Sequence, residues 1–138
     1  MFKSNFGSSI APDPKTAGKE AAKEAKKGLE GIKLAFVYAS VAYDLAEMLS
    51  GIREEMPDAA IIGNTSFTGV VTPQGFIGSD DGFVGVLALA GDADVGVAIS
   101  AKDGCARETG KKIAMEAMKK AGKNCAPTYY YMVASPGE

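Results

Sequence analysis

A β-α-β unit in the first half of the chain, followed by an abrupt loss of helical periodicity, limits the possible folds more than any other feature. Leu34-Ala-Phe-Val-Tyr-Ala39 is a short, continuously apolar run, the pattern of a strand covered on both faces. Ser40 follows and can cap a helix from about Ala42 to Met56, on which Leu45, Met48, Leu49, Ile52 and Met56 recur as a buried stripe. Asp44 and Glu47 fall in its first turn, where negative charge suits the exposed N–H groups. Pro57-Asp58 ends the helix, and Ala59 to Gly63 is the next strand. Two strands joined by one helix pair in parallel through a right-handed crossover.

From Ser66 to Ser100 the sequence shows strand runs broken by turns and no helical period. Phe67 to Thr72, Phe76-Ile77, Phe83 to Ala90 and Val95 to Ser100 are the runs; Pro73-Gln74-Gly75, Gly78 to Gly82 and Gly91 to Asp94 are the turns. Short connections of this kind imply antiparallel hairpins. Glycines at 82, 85, 91 and 96 suggest bulges or the close approach of another backbone.

Two more helices flank this region. Asp13-Pro14 reads as an N-cap with proline at the first helical position, ahead of a stripe at Ala17, Ala21, Ala25, Leu29 and Ile32. An alanine face of this kind can lie close against a neighbour. A third helix starts at Asp103 or Gly104, turns Ala106, Gly110, Ile113, Ala114, Ala117, Met118 and Ala121 inward, and ends at Gly122. Thr128 to Ala134 reads as a last strand, with at least one ring of Tyr129-Tyr130-Tyr131 in the core. The expected fold is α/β (α+β): a mixed parallel/antiparallel sheet of six or seven strands with three helices. It has a β-α-β start, an antiparallel meander and a final α-β, in one domain over residues 1–138.

Composition removes whole classes of chemistry. The chain has no histidine and no tryptophan, so Ser-His-Asp triads, Cys-His pairs and histidine-bearing metal sites have no members. Cys105 and Cys125 make no disulfide framework and too few ligands for structural zinc. Charge is uneven. Residues 34–99 hold one basic group, Arg53, against nine acids, while the helical ends are mildly basic. The lysines lack interleaved aromatics and read as solvated helix faces, so no nucleic-acid partner is expected. No apolar run approaches the length of a membrane span, and the first residues lack a signal-peptide core. A soluble cytoplasmic protein with reduced thiols, no membrane contact and no cofactor is the expectation.

Three stretches invite a chemical reading. Gly63-Asn-Thr-Ser-Phe-Thr-Gly69 is flanked by glycines and polar, but no lysine and no helix follows it, so it is not a phosphate loop. Gly78-Ser-Asp-Asp-Gly82 has too few oxygen ligands for calcium and reads as an acidic hairpin. Cys105 stands near a helix N-terminus, which lowers a thiol pKa; lacking a partner base, it reads first as a small buried residue.

Taken in order, several of these residues resemble the FIST N-terminal domain. They are Asp13-Pro-x-x-Ala17-Gly-x-Glu20-Ala-Ala, then Phe36-Val-Tyr-Ala-Ser40 with Tyr43-Asp44, and above all Ile62-Gly63-Asn-Thr-Ser-x-x-Gly69 with Gly75. The resemblance spans about residues 5 to 136. It departs from the family at Asn64, where cysteine is more usual, and at Val70-Val71, where a small residue and an acid are more usual. The family's domain also continues further and is normally followed by a C-terminal FIST domain, so this chain is expected to be a truncated or partial copy.

The resemblance implies a non-catalytic, small-ligand-sensing domain of an intracellular signal transduction protein, with amino acids a candidate ligand class. Ligands collect at the carboxyl ends of parallel strands. That places the expected ligand contacts at Asn64, Thr65, Ser66 and Thr68, with Tyr43 above them. The alternatives are a structural module that dimerises through open strand edges, or an enzyme using Cys105, Asp44 or Tyr43. The expected partners are a small molecule and either a second copy or a C-terminal FIST domain.

Overall fold

The computed structural model describes residues 1–101 and 104–133. The chain divides into two compact units, residues 1–92 and 93–138.

The first unit opens with a strand that the apolar pattern did not reveal, β1 (Lys3–Ser9). Helix α1 (Pro14–Ala25) starts as expected. Asp13 stays extended and its Oδ2 accepts the Thr16 N–H at 2.7 Å, while Pro14 fills the first helical position. Strand β2 (Ile32–Ser40) follows, and then α2 (Leu45–Glu55). The cap of α2 is Asp44 rather than Ser40: Asp44 Oδ1 accepts the N–H groups of Ala46 and Glu47. Ser40 instead shapes the turn before it, accepting the Ala42 N–H. The buried stripe of α2 is correspondingly narrower than the pattern suggested. Met48, Gly51, Ile52 and Met56 are inside, whereas Leu45 and Leu49 are 39% and 37% exposed.

Strand β3 (Ala60–Ser66) is followed by two short strands, β4 (Val70–Thr72) and β5 (Gly75–Ile77), and by β6 (Val84–Ala90). The sheet is mixed, and its order is β1-β6-β2-β3. β2 and β3 are parallel, with Phe36 opposite Ile62 and Tyr38 opposite Asn64. β6 runs antiparallel to both its neighbours, β1 and β2. The expected continuous meander is therefore interrupted. β4 and β5 form a separate hairpin, and β6 leaves it to enter the middle of the main sheet.

Strand alternation gives this sheet two different faces. On one, Ala35, Val37 and Ala39 of β2 and Val84, Val86 and Ala88 of β6 form a single core cluster with Ala17, Ala21, Ala22 and Ala25 of α1 and Met48 and Ile52 of α2. The other face carries a row that crosses all four strands: Phe6, Leu87, Phe36 and Ile62 stand side by side in register and are half-buried. Within the first unit, α1 and α2 thus lie on one face of β2.

The helices cross at two glycines. A Cβ at Gly18 would fall 2.1 Å from the Met48 carbonyl oxygen, and one at Gly51 would fall 2.1 Å from that of Lys15. Outside the crossing, Lys15 and Lys19 both reach Glu54, at 2.7 and 2.8 Å. The hydrogen bonds and positive charge of these two lysines lower the Glu54 carboxyl to about 2. A carboxylate depressed in the fold stabilises fully above its unfolded value of 4.5, and this contribution fades as pH falls toward 2. All three groups are exposed, so salt screens the clamp. The expected result is a small thermal-stability gap between the wild type and Glu54→Gln at neutral pH that closes between pH 4.5 and 2. A gap that ignores pH would show the clamp to be inert.

The second unit is built on α3 (Ala106–Lys120), with Cys105 at its N-cap. Gly122, with φ 68°, follows the helix; its N–H and that of Lys123 return to the Lys119 and Met118 carbonyls. Gly110, Ile113, Ala114, Ala117, Met118 and Ala121 of the expected inner face are half-buried, Ala106 is exposed, and no α3 side chain is fully buried. Gly96 packs against the α3 backbone at Ala117, and Lys123 pairs with Asp94 at 2.8 Å. The strand expected at Val95–Ser100 is absent. Residues 128–133 likewise form no strand, and Ala134 lies outside the described residues, as does Asp103. Tyr129 and Tyr130 are exposed and Tyr131 is half-buried. Among the described residues, no helix is long and apolar enough to cross a membrane.

Candidate functional site

Where β3 leaves the sheet, the β4–β5 hairpin folds back over the face opposite α1 and α2. The two surfaces enclose a groove of about 480 Å3. Phe6, Tyr38, Gly85 and Leu87 come from the sheet; Ser66, Gly69, Val70, Val71, Thr72 and Pro73 come from the end of β3 and the hairpin. Gly85 keeps the floor low: a Cβ there would stand 3.2 Å from Val70 Cγ2 and 3.3 Å from the Phe6 ring. β1, β2 and β3 share one direction, so the groove lies toward the carboxyl ends of β2 and β3.

Local hydrogen bonds hold the hairpin's shape. Ser66 Oγ donates to the Gly69 carbonyl at 2.6 Å and closes the turn out of β3. Thr72 Oγ1 donates to the Gly75 carbonyl at 2.8 Å and accepts the Gln74 N–H at 3.1 Å. Each hydroxyl retains further acceptor capacity. Apart from these groups and the Tyr38 side chain the groove's walls are apolar, with no charged side chain.

A second hollow, of about 530 Å3, lies at the far ends of α1 and α2 and is lined by Lys23, Lys26, Lys27, Glu55 and Asp58 among others. It is slightly larger, but Lys26 is already paired with Glu55 and Lys27 with Glu24. It also sits at the amino end of β2, where ligands of parallel sheets do not collect. The groove beside Ser66 is the better candidate.

The residues expected to form one site are divided by the sheet. Ser66 lines the groove, and Asn64 lies on the same face, next to Tyr38 in the adjacent strand. Strand alternation turns Thr65 to the opposite face. Thr68 is exposed in the turn before β4. Tyr43 is elsewhere, only 5% exposed within the helix-side core. Its hydroxyl donates to the Ala11 carbonyl, and its ring lies against Gly82. Phe6, Tyr38, Gly85 and the hairpin residues were missed as groove residues because their association needs the strand order. Tyr38, the one hydroxyl in the apolar run from Leu34 to Ala39, was the signal available.

Burial raises the Tyr43 phenol, and Glu20 adds to the effect. Above the ordinary tyrosine value of 10.0 the unfolded chain ionises first, so the folded state loses stability as pH rises through that value. Tyr43→Phe removes this alkaline loss and costs about 1 kcal/mol at neutral pH from the missing hydrogen bond. Thermal unfolding at pH 7 and 10.5 checks both signs; an unchanged alkaline slope would remove Tyr43 from the core's proton balance.

Cys105 is exposed, contrary to the expected burial. The backbone N–H groups of Glu108 and Arg107 pull its thiol below the ordinary range. Cys125 is also free and exposed. Among the described residues no group of three or more histidine, cysteine, aspartate or glutamate side chains could hold a metal ion.

The first unit is a two-layer α/β arrangement with its groove toward the carboxyl ends of its parallel strands. Residues 33–137 match the family model of the FIST N domain, and the chain belongs to that family of signal-transduction sensory domains. A search of curated proteins found no match. Among solved structures, the empty FtsZ dimer from M. jannaschii is similar at 14% identity and a TM-score of 0.42. That likeness covers 68% of this chain and 28% of the FtsZ chain.

Proposed function

We propose that the chain is a non-catalytic sensory domain that binds a small molecule in the groove between the sheet and the β4–β5 hairpin. Amino acids are the first ligand class to test. The observation that carries the reading is the position of Ser66, which belongs to the polar stretch singled out in the sequence and also lines the groove. In this reading Ser66 and Asn64 supply polar contacts, and Tyr38 and Phe6 supply flat apolar surface. Thr68 acts through the turn that fixes Ser66. Thr65 and Tyr43 act from the other face, by holding the strand ends that carry the contacts.

Family membership supports the sensory role, and the neutral apolar walls favour amino acids with large uncharged side chains. The test is thermal unfolding with single amino acids added, followed by calorimetry on those that respond. A ligand at 100 times its Kd raises stability by about 2.7 kcal/mol. Gly85→Val, which fills the floor, should abolish the shift while the variant stays folded. A shift that survives this filling would place the ligand elsewhere, and no response to any amino acid would remove that class.

A further inference from the structure

The main sheet has two edges, β1 and β3, and they differ. β1 begins with Lys3, a charged residue of the kind that discourages strand pairing. β3 has no such device. Ala60-Ile-Ile-Gly-Asn-Thr-Ser66 contains no charge and no proline, and its pairing with β2 runs in register without a bulge. Among the described residues its outer edge pairs with no strand, and Gly63, Asn64 and Thr65 are exposed. A neutral, regular, seven-residue edge is a template for another strand.

We propose that β3 pairs with β3 of a second copy, antiparallel about a twofold axis through Ile62. Three observations select a second copy and this register. First, the half-buried row Phe6, Leu87, Phe36 and Ile62 runs across the sheet and stops at the β3 edge. Placing Ile62 opposite its own copy continues the row into the same row of the partner, so each end covers the other. Second, the same register sets Ile61 opposite Gly63 and Ala60 opposite Asn64. On the helix side a large side chain therefore meets a residue with none, twice, as a twofold interface requires. Third, no like charges meet: Asp58 falls opposite Ser66.

Strand pairing over so few residues buries less than the roughly 1,200 Å2 of a standard stable interface, so the dimer is weak and concentration-dependent. It is independent of any ligand in the groove.

The test is light scattering on the full chain across roughly 10 μM to 1 mM, the range in which so small an interface populates. It is joined to hydrogen exchange of the β3 amides at both ends of the series. The mass should rise toward that of a dimer, and residues 60–64 should gain protection at high concentration. Ile62→Lys places two ammonium groups face to face and should hold the chain monomeric. Asn64→Lys, at an exposed position, is the second variant should the first fail to fold; it should weaken the dimer at least tenfold. A mass that stays monomeric throughout overturns the proposal. So does a dimer whose β3 amides exchange as fast as the monomer's, or one that Asn64→Lys leaves unchanged.

Discussion

Gly51→Ala should destabilise the first unit by about 3 kcal/mol and lower its melting temperature by roughly 10–20 °C, although alanine is the better helix former. Propensity alone would favour the substitution by about 1 kcal/mol. The opposing effect is larger because of what the new methyl would meet. It would stand 2.1 Å from the Lys15 carbonyl oxygen and 2.9 Å from the Lys19 nitrogen, both backbone atoms of a neighbouring helix that cannot rotate aside. Relief requires α1 and α2 to separate along the whole crossing. Met48 and Ile52, each at most 2% exposed, and the fully buried Ala17, Ala21 and Ala22 would then lose close contact. Burying a Met or Ile side chain alone contributes roughly 1.5–3 kcal/mol, so even partial loss exceeds the helix-propensity gain. Gly18→Ala should act alike, through the Met48 carbonyl oxygen at 2.1 Å. The double variant should cost less than the two single costs added, because helices already parted by one methyl accommodate the second. Denaturant unfolding of the three variants measures this. A neutral or stabilised Gly51→Ala would show that the helices are not in contact through their glycines.

This crossing was partly legible in the sequence. The stripe of Ala17, Ala21 and Ala25 announced a helix built for close approach, but it could not say that Gly51 was the residue approached. Other elements were legible to different degrees for equally specific reasons. β2 and α2 stood out because their apolar periods are strong, and Asp13-Pro14 located α1 to the residue. β1 was hidden because its helix-facing positions are Asn5, Gly7 and Ser9. Asn5 and Ser9 bind α1 by hydrogen bonds, Asn5 Nδ2 donating to the Glu24 carbonyl and Ser9 Oγ to Glu20, while Gly7 packs against the α1 backbone at Ala21. A strand that docks through polar groups leaves no alternating hydrophobic trace.

The candidate site was legible only as a stretch. Glycines and hydroxyls between Gly63 and Gly69 marked a strand leaving the sheet, and Ser66 does line the groove. What the stretch could not contain is strand alternation read together with strand order. Asn64 and Ser66 share a face and Thr65 does not, while Phe6 enters because β6 carries β1 to the edge of the sheet. Tyr43 misled because its position in sequence, just after β2, suggested the strand's mouth. The turn at Ser40 instead takes it to the helix side, where Ala11 satisfies its hydroxyl.

Gly63 joins the fold to the site, and Gly63→Ala is expected to free β3 from the sheet at a cost of about 2–3 kcal/mol. A Cβ at this position would lie 1.8 Å from the Val37 carbonyl oxygen and 2.7 Å from its carbon, in the middle of the pairing between β2 and β3. These are atoms of the central strand, held on its other side by β6, so β2 cannot yield. Among the described residues β3 pairs on one side only, and it therefore moves. The helix-side core at Val37, Val86 and Ile52 should survive, which distinguishes this variant from Gly51→Ala: one loosens an edge, the other parts the two helices. Hydrogen exchange should show the amides of residues 60–66 opening while those of β6 stay protected. Because Ser66 ends β3, any thermal shift produced by a groove ligand should vanish in the same variant, as should pairing through the β3 edge. Full protection of residues 60–66 in Gly63→Ala would mean that β3 tolerates a side chain at this position. The groove and the dimer would then have to be judged without the constraint that Gly63 imposes on them.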